Sequence, residues 1–294
     1  MIKRVLLSTL ALLLVYSWFI SQYGAGISRT GQTTEQRNMV KAEEFLFEAS
    51  TRYDTIIVGS SMSDRLNTDS LSAAYYNLSL AGMSAQDGLQ LIEMSGHLPH
   101  VLFVETNTLT RDEPSPLMES LNDPTWIWLK RHLPFTRQKF QPAGVFKAML
   151  RDWSHGKGQP VVPETAMYVD TAFLNKAVAD RIQAAIPPPD SVLHASLGKV
   201  RNRLDQWRRQ GVRVVFFEIP MDPRLQAMPI QGQVRQLVRR YFPSPDYAHL
   251  ALPEGAYQTT DGVHLTYGES NRFTGYLRQQ IQGYIGGPYL VKKE

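Results

Sequence analysis

Asp54-Thr55-Ile56-Ile57-Val58-Gly59-Ser60-Ser61 is the stretch on which the fold turns. A run of β-branched residues, Thr55 to Val58, reads as a strand buried on both faces, as in the middle of a parallel sheet. It breaks at Gly59 and delivers two hydroxyls at its carboxyl end, where open α/β sheets place their chemistry. Working outward, residues 75–82 predict a second short strand ending at a glycine, and 101–105 a third that runs into Thr106-Asn107. Ser84, with Asp87 one helical turn on, makes a capping box that opens a helix through Leu89 and Ile92 toward Gly96. A fourth strand is expected at 212–218, after a helix through Leu197, Val200, Leu204 and Trp207 that Gly211 closes. Strands alternating with helices predict an α/β class with a parallel central sheet and right-handed crossovers.

The chain has 294 residues, 43% of them hydrophobic, enough for one sizeable domain with insertions. Its net charge of +4 is too mild to argue for a nucleic-acid partner, and the absence of cysteine removes disulfides, thiolate nucleophiles and a lipidated cysteine anchor. Lys3-Arg4 precede an uncharged run from Val5 to Ile20, which at ~1.5 Å per residue spans roughly 24 Å. Continuing through Tyr23 to Ile27 brings it to the full ~30 Å of a hydrocarbon core. Trp18 and Tyr23 suit an interfacial belt, and Lys3-Arg4 place the N-terminus in the cytoplasm. Residues 1–27 therefore read as one transmembrane signal-anchor in a bacterial inner membrane, with the bulk of the chain in the periplasm. A cleaved secretory signal is the competing reading.

Residues 28–50 read as a stalk and lead-in helix, and 51–290 as the periplasmic domain, interrupted by a large proline-punctuated insertion at about 111–190. Within the insertion, 126–159 carries seven Lys or Arg (130, 131, 137, 139, 147, 151 and 157) against a single acid, Asp152. Trp126, Trp128, Phe135, Phe140, Phe146 and Trp153 are interleaved with them. Two readings stand: a partly helical cap with a solvated basic face, or a surface turned toward membrane or polysaccharide.

Near the C-terminus, Asp261-Gly262-Val263-His264 supplies a carboxylate and an imidazole that could complete a Ser-His-Asp constellation with Ser61. A serine hydroxyl is a poor nucleophile until a base takes its proton, and the base needs a third group to set its tautomer. His264 would be that base and Asp261 its orienting group, both on one face if they open a helix. An oxyanion site would draw on the Ser61 N–H, the Gly82 N–H and the Asn107 side-chain amide, each just beyond a predicted strand. Asp64 and Arg65 either shape the mouth of this site or form a salt bridge at a helix start. His97, His100, His132, His155, His194 and His249 lack metal-ligand spacing, and no glycine-rich phosphate loop is visible, so neither metal nor cofactor is expected.

Taken in order, Ile57-Val58-Gly59-Ser60-Ser61, Asn77-Leu78-Ser79-Leu80-Ala81-Gly82, Val104-Glu105-Thr106-Asn107 and Asp261-Gly262-Val263-His264 resemble the four blocks of the SGNH/GDSL hydrolase superfamily. The resemblance covers roughly 52–110 and 195–285 and implies a three-layer fold with Ser61, Gly82, Asn107, Asp261 and His264 as its working residues. Two departures are visible: Ser60 stands where the family has aspartate, and the third block reads Glu-Thr-Asn instead of G-x-N-D. Gly-Ser-Ser behind an N-terminal anchor is similar to a branch that includes the alginate O-acetylation proteins and the D-alanyl transfer protein of teichoic acid modification. That likeness implies O-acyl transfer, acetyl by analogy, onto an exopolysaccharide or envelope glycan, beside a multispanning membrane O-acyltransferase. The alternatives are an esterase of the same fold and a non-catalytic glycan-binding partner of such an acyltransferase, the last compatible with Ser61 and His264 lying far apart.

Overall fold

The computed structural model describes residues 1–27, 30, 33–67, 71, 75–113, 115–155 and 168–285. It contains two compact units, Met1–Glu48 with Pro114–Val161, and Ala49–Glu113 with Val162–Glu294. The insertion expected at 111–190 is thus divided between the two, and most of the lead-in segment joins the first. Lys157 of the basic stretch and residues 286–290 of the expected domain lie outside the described residues.

The helices run α1 (Ile2–Tyr23), α2 (Thr34–Glu44), α3 (Ser61–Asp64) and α4 (Ala85–Ser95). Then come α5 (Pro116–Leu121), α6 (Pro124–His132), α7 (Pro142–His155) and α8 (Thr171–Ala184). The last are α9 (Asp190–Arg209), α10 (Pro223–Gln226), α11 (Pro229–Tyr241) and α12 (Tyr267–Ile285). The first unit is built from α1, α2 and α5–α7. Its α1 is a helix long and apolar enough to cross a membrane. The C-terminal end of α1 is not bare: Ile20, with Ile27 a few residues beyond the helix, shares a small core with Phe140, Val145 and Ala148. Glu43 of α2, buried, pairs with Lys130 of α6 at 2.6 Å and accepts the Gln138 N–H at 2.7 Å. Burial pushes the Glu43 carboxyl upward, and Lys130 opposes the shift.

The second unit carries the sheet. Strands β1 (Thr55–Val58), β2 (Tyr75–Asn77), β3 (Val101–Glu105), β4 (Arg213–Phe217) and β5 (Ala248–His249) are all parallel, in the order β2-β1-β3-β4-β5. β1 and β3 are buried along their whole length, which is why they carry no alternating polar residues. Ile57, Phe103, Val215 and Phe217 share one core with Phe273, Leu277 and Ile281 of α12. The alternate residues, Ile56, Val58, Leu102, Val104, Val214 and Phe216, are buried on the opposite side. There a Cβ on Gly88 of α4 would come within 2.8 Å of Val58, so only glycine lets the helix approach so closely. α9 covers β4 and buries Leu197, Val200, Leu204 and Trp207. The result is helix, sheet, helix: the three-layer α/β class expected from the sequence.

The second strand is shorter than the segment expected at 75–82, but the chain keeps its course beside β1. Leu78 N–H donates to Ile57 O at 2.8 Å, and Leu80 N–H to Gly59 O at 3.1 Å. β5, only two residues long, has no periodicity that a sequence could display. Because β2 leaves β1 on one side and β3 lies on the other, the strand order reverses at β1 and β3. Crevices in open parallel sheets form at that switch, outside the carboxyl ends of the strands.

Candidate active site

Ser61 is the first residue of α3, which follows the carboxyl end of β1 after Gly59 and Ser60. Its Oγ lies 2.7 Å from Nε2 of His264, and His264 Nδ1 lies 2.9 Å from Oδ2 of Asp261. The other Asp261 oxygen accepts the backbone N–H groups of His264 at 2.9 Å and Val263 at 3.2 Å. Burial pushes the Asp261 carboxyl up, but the hydrogen bonds from the His264 ring and backbone outweigh it and hold it well below the ordinary carboxylate range. An ionised Asp261 requires the proton on Nδ1, which leaves the Nε2 lone pair to accept the Ser61 hydroxyl. The separation between Ser61 and His264 that a purely binding role would tolerate is absent.

Asp261 and His264 do not open a helix, the one condition under which their spacing alone would set both on one face. They sit in a bend ahead of α12, pinched by an antiparallel bridge between Thr259 and Leu265 and by Thr260 N–H donating to His264 O at 2.8 Å. The bend depends on Gly262 at φ +93, a conformation that L side chains rarely adopt. A Cβ there would also meet Val178 of α8 at 2.7 Å and Leu225 of α10 at 2.9 Å. The carboxylate reaches the imidazole because the loop folds back on itself, not because of helical periodicity.

The two halves of the site are clipped together by Arg65, which donates to Leu265 O at 3.3 Å while its own carbonyl accepts Ser270 Oγ–H at 2.7 Å. Arg65 thus joins the turn that carries Ser61 to the residue after His264. Of the expected oxyanion donors, the Ser61 and Gly82 N–H groups have no hydrogen-bond acceptor among the described residues. Gly82 is exposed, with φ +77. Asn107 is committed differently: its side-chain oxygen accepts Ile219 N–H at 2.8 Å and its Nδ2 donates to Ile219 O at 2.9 Å. It braces the chain beyond β4 and keeps one amide hydrogen for other use.

No protein-family profile and no curated protein matches this chain. A solved structure from Streptococcus pneumoniae, described as a candidate platelet activating factor, is similar at a TM-score of 0.45 and 12% identity, covering 93% of this chain and 99% of that one.

Two residues that sequence reasoning did not single out complete the geometry. Glu105, fully buried at the end of β3, accepts Ser60 N–H at 2.8 Å, Ser60 Oγ–H at 2.7 Å and Ser63 N–H at 3.3 Å. It also accepts a very short hydrogen bond from Ser63 Oγ. Ser60 in turn caps α3 by accepting Met62 N–H at 3.2 Å. The turn holding Ser61 is therefore built around one buried carboxyl group, and Gly59 has no room for a side chain: a Cβ would strike Ser63 Oγ and the Glu105 carboxyl. The only signal in the sequence was the acid at the end of an otherwise apolar strand, a placement a buried Glu accepts only when fully partnered. Arg181 of α8 is the second, donating to Oδ2 of Asp261 at 3.0 Å and to its backbone oxygen at 3.3 Å. It comes from the insertion, where no motif marked it.

Proposed function

We propose that this chain is a membrane-anchored serine O-acyltransferase that moves an acyl group, acetyl by analogy, onto an exopolysaccharide or envelope glycan outside the inner membrane. The observation that carries the reading is the continuous relay from Ser61 Oγ through His264 to an ionised Asp261, at 2.7 and 2.9 Å. In the first half-reaction His264 Nε2 takes the Ser61 proton as Oγ attacks the carbonyl carbon of the acyl donor. The resulting oxyanion is met by the Ser61 and Gly82 N–H groups and the remaining amide hydrogen of Asn107. Collapse expels the donor oxygen, which leaves with the proton held on His264, and Ser61 is left acylated. In the second half a sugar hydroxyl gives its proton to Nε2, attacks the acyl-Ser61 carbonyl and departs as the ester, and the proton returns to Ser61 Oγ. A multispanning membrane O-acyltransferase is the proposed source of the acyl group.

Hydrolysis is the second reading, favoured by one feature. The His264 and Asp261 side chains keep 19% and 18% of their exposure, so water can reach the base that would activate it. Both readings share acyl-Ser61 and differ only in what resolves it.

The test is intact mass of the detergent-solubilised full chain after exposure to an activated acetyl ester, with and without a glycan acceptor. A single acetyl adduct that requires Ser61, and that passes to the glycan faster than to water, supports transfer. An adduct lost only to water supports the esterase. No adduct, from protein with native circular dichroism, would sink both and leave the glycan-binding role.

A further inference from the structure

Helix α7 has three faces, and only two have a clear use within the first unit. Val145 and Ala148 point into the small core that grips α1, and Lys147 lies on an exposed face. Phe146, Met149, Leu150 and Trp153 recur at the spacing that lines one helix stripe, about a third of a turn from each of the others. That stripe is bare: Phe146 is 63% exposed and Trp153 86%. Trp126 and Trp128 of α6 add two further exposed indoles, 53% and 59% accessible.

The length of α1 says what covers them. Beyond Lys3-Arg4, the exposed apolar part of α1 is Val5 to Val15, roughly 16 Å at ~1.5 Å per residue, about half of a ~30 Å hydrocarbon layer. The rest of the thickness must be filled by the next two and a half turns or so, from Tyr16 to about Gly24. Those turns are the ones the first unit holds: Tyr16 Oη donates to Phe140 O at 2.5 Å, and Ile20 packs with Phe140, Val145 and Ala148. Protein wrapped around the last turns of a spanning helix sits at the outer boundary of the bilayer, where acyl chains give way to headgroups, and its lipid-facing side must be apolar.

We propose that α7 lies in the outer headgroup interface with its Phe146-Met149-Leu150-Trp153 stripe inserted into lipid, forming a second, monotopic attachment beside the span. Exposed Lys147 and Arg131 would meet anionic headgroups, as the basic flank of an interfacial helix does. The inference rests on reading α1 as a membrane span.

The test exploits a chain without cysteine. Single cysteines replacing Phe146, Met149, Leu150, Trp153, Lys147, Leu10 or Gln206 are spin-labelled in the full-length protein, reconstituted in phosphatidylethanolamine–phosphatidylglycerol vesicles. Collision with oxygen and with a water-soluble nickel chelate is then measured at each site. The expected result is that the four stripe positions resemble Leu10, with chelate access several-fold below that at Lys147 and Gln206. Water-like stripe positions with a lipid-like Leu10 would overturn the proposal while leaving the span intact, and would return the stripe to a glycan. Low access to both reagents along the stripe would overturn it in favour of a protein contact. A water-like Leu10 would remove the span itself, and the proposal with it.

Discussion

Replacing Glu105 tests whether one buried carboxyl group shapes the turn that carries Ser61. Its four hydrogen bonds come from two backbone N–H groups and two hydroxyls, on Ser60 and Ser63. In Glu105→Gln the amide oxygen can occupy the Oε2 position, where three of those donors converge. The amide nitrogen then faces only Ser60 Oγ, which can turn to accept. One hydrogen bond is reversed, at a cost of about 1 kcal/mol. In Glu105→Ala the hydroxyls can reorient but the N–H groups of Ser60 and Ser63 cannot, and each buried, unsatisfied donor costs about 1–3 kcal/mol. The alanine variant should therefore lose about 2–6 kcal/mol, much of a typical domain's ~5–15 kcal/mol. Urea unfolding of the detergent-solubilised chain, followed by circular dichroism, measures the loss. The rate of Ser61 acylation by an activated ester reports whether the turn has moved. Equal stability and equal acylation in both variants would refute the reasoning, because the turn would then not depend on Glu105.

Three further outcomes are expected. Gly262→Ala must accommodate a Cβ 2.7 Å from Val178 at φ +93, costing about 1–2 kcal/mol for the backbone and about 1–3 for packing, so its urea midpoint should fall and acylation with it. Arg181→Ala removes a half-exposed ion pair worth about 0–1 kcal/mol; the urea midpoint should hold while the acylation rate drops several-fold, and an unchanged rate would deny Arg181 any part in positioning Asp261. Because the Asp261 carboxyl is held below its unfolded value of about 3.9, its ionised form stabilises the protein above that pH, and the contribution is lost as pH falls below it. Asp261→Asn should therefore be less stable at neutral pH and show a flatter fall in urea midpoint below about pH 4, with acylation reduced by ~10⁴-fold; parallel pH curves would count against the bond network around Asp261.

β1, β3, β4, the α4 capping box and the apolar stripe of α9 were legible in the chain because each is specified by neighbours a few residues apart. β-branched runs bury on both faces, Ser84 and Asp87 satisfy one another's backbone, and Leu197, Val200, Leu204 and Trp207 share a helix face. β5 was not legible, since two residues carry no period, and neither was the joining of α1 to the 134–148 segment, which depends on contacts such as Tyr16 with Phe140 across 124 positions.

The sequence by itself determined the class of sheet, the residue that ends β1 and the presence of a carboxylate near an imidazole at the far end of the chain. Distance between those ends is a property of packing, and only the tertiary structure decided it. Ser61 meets His264 across 203 positions because β1 ends at the reversal of strand order and Arg65 ties its turn to Leu265. The structure also decided that Asn107 spends most of its amide on Ile219, and that Glu105, an acid at the end of an apolar strand, holds the turn that carries Ser61. Hydrogen bonds of this kind are made between side chains remote in the chain, and short-range patterning contains no record of them.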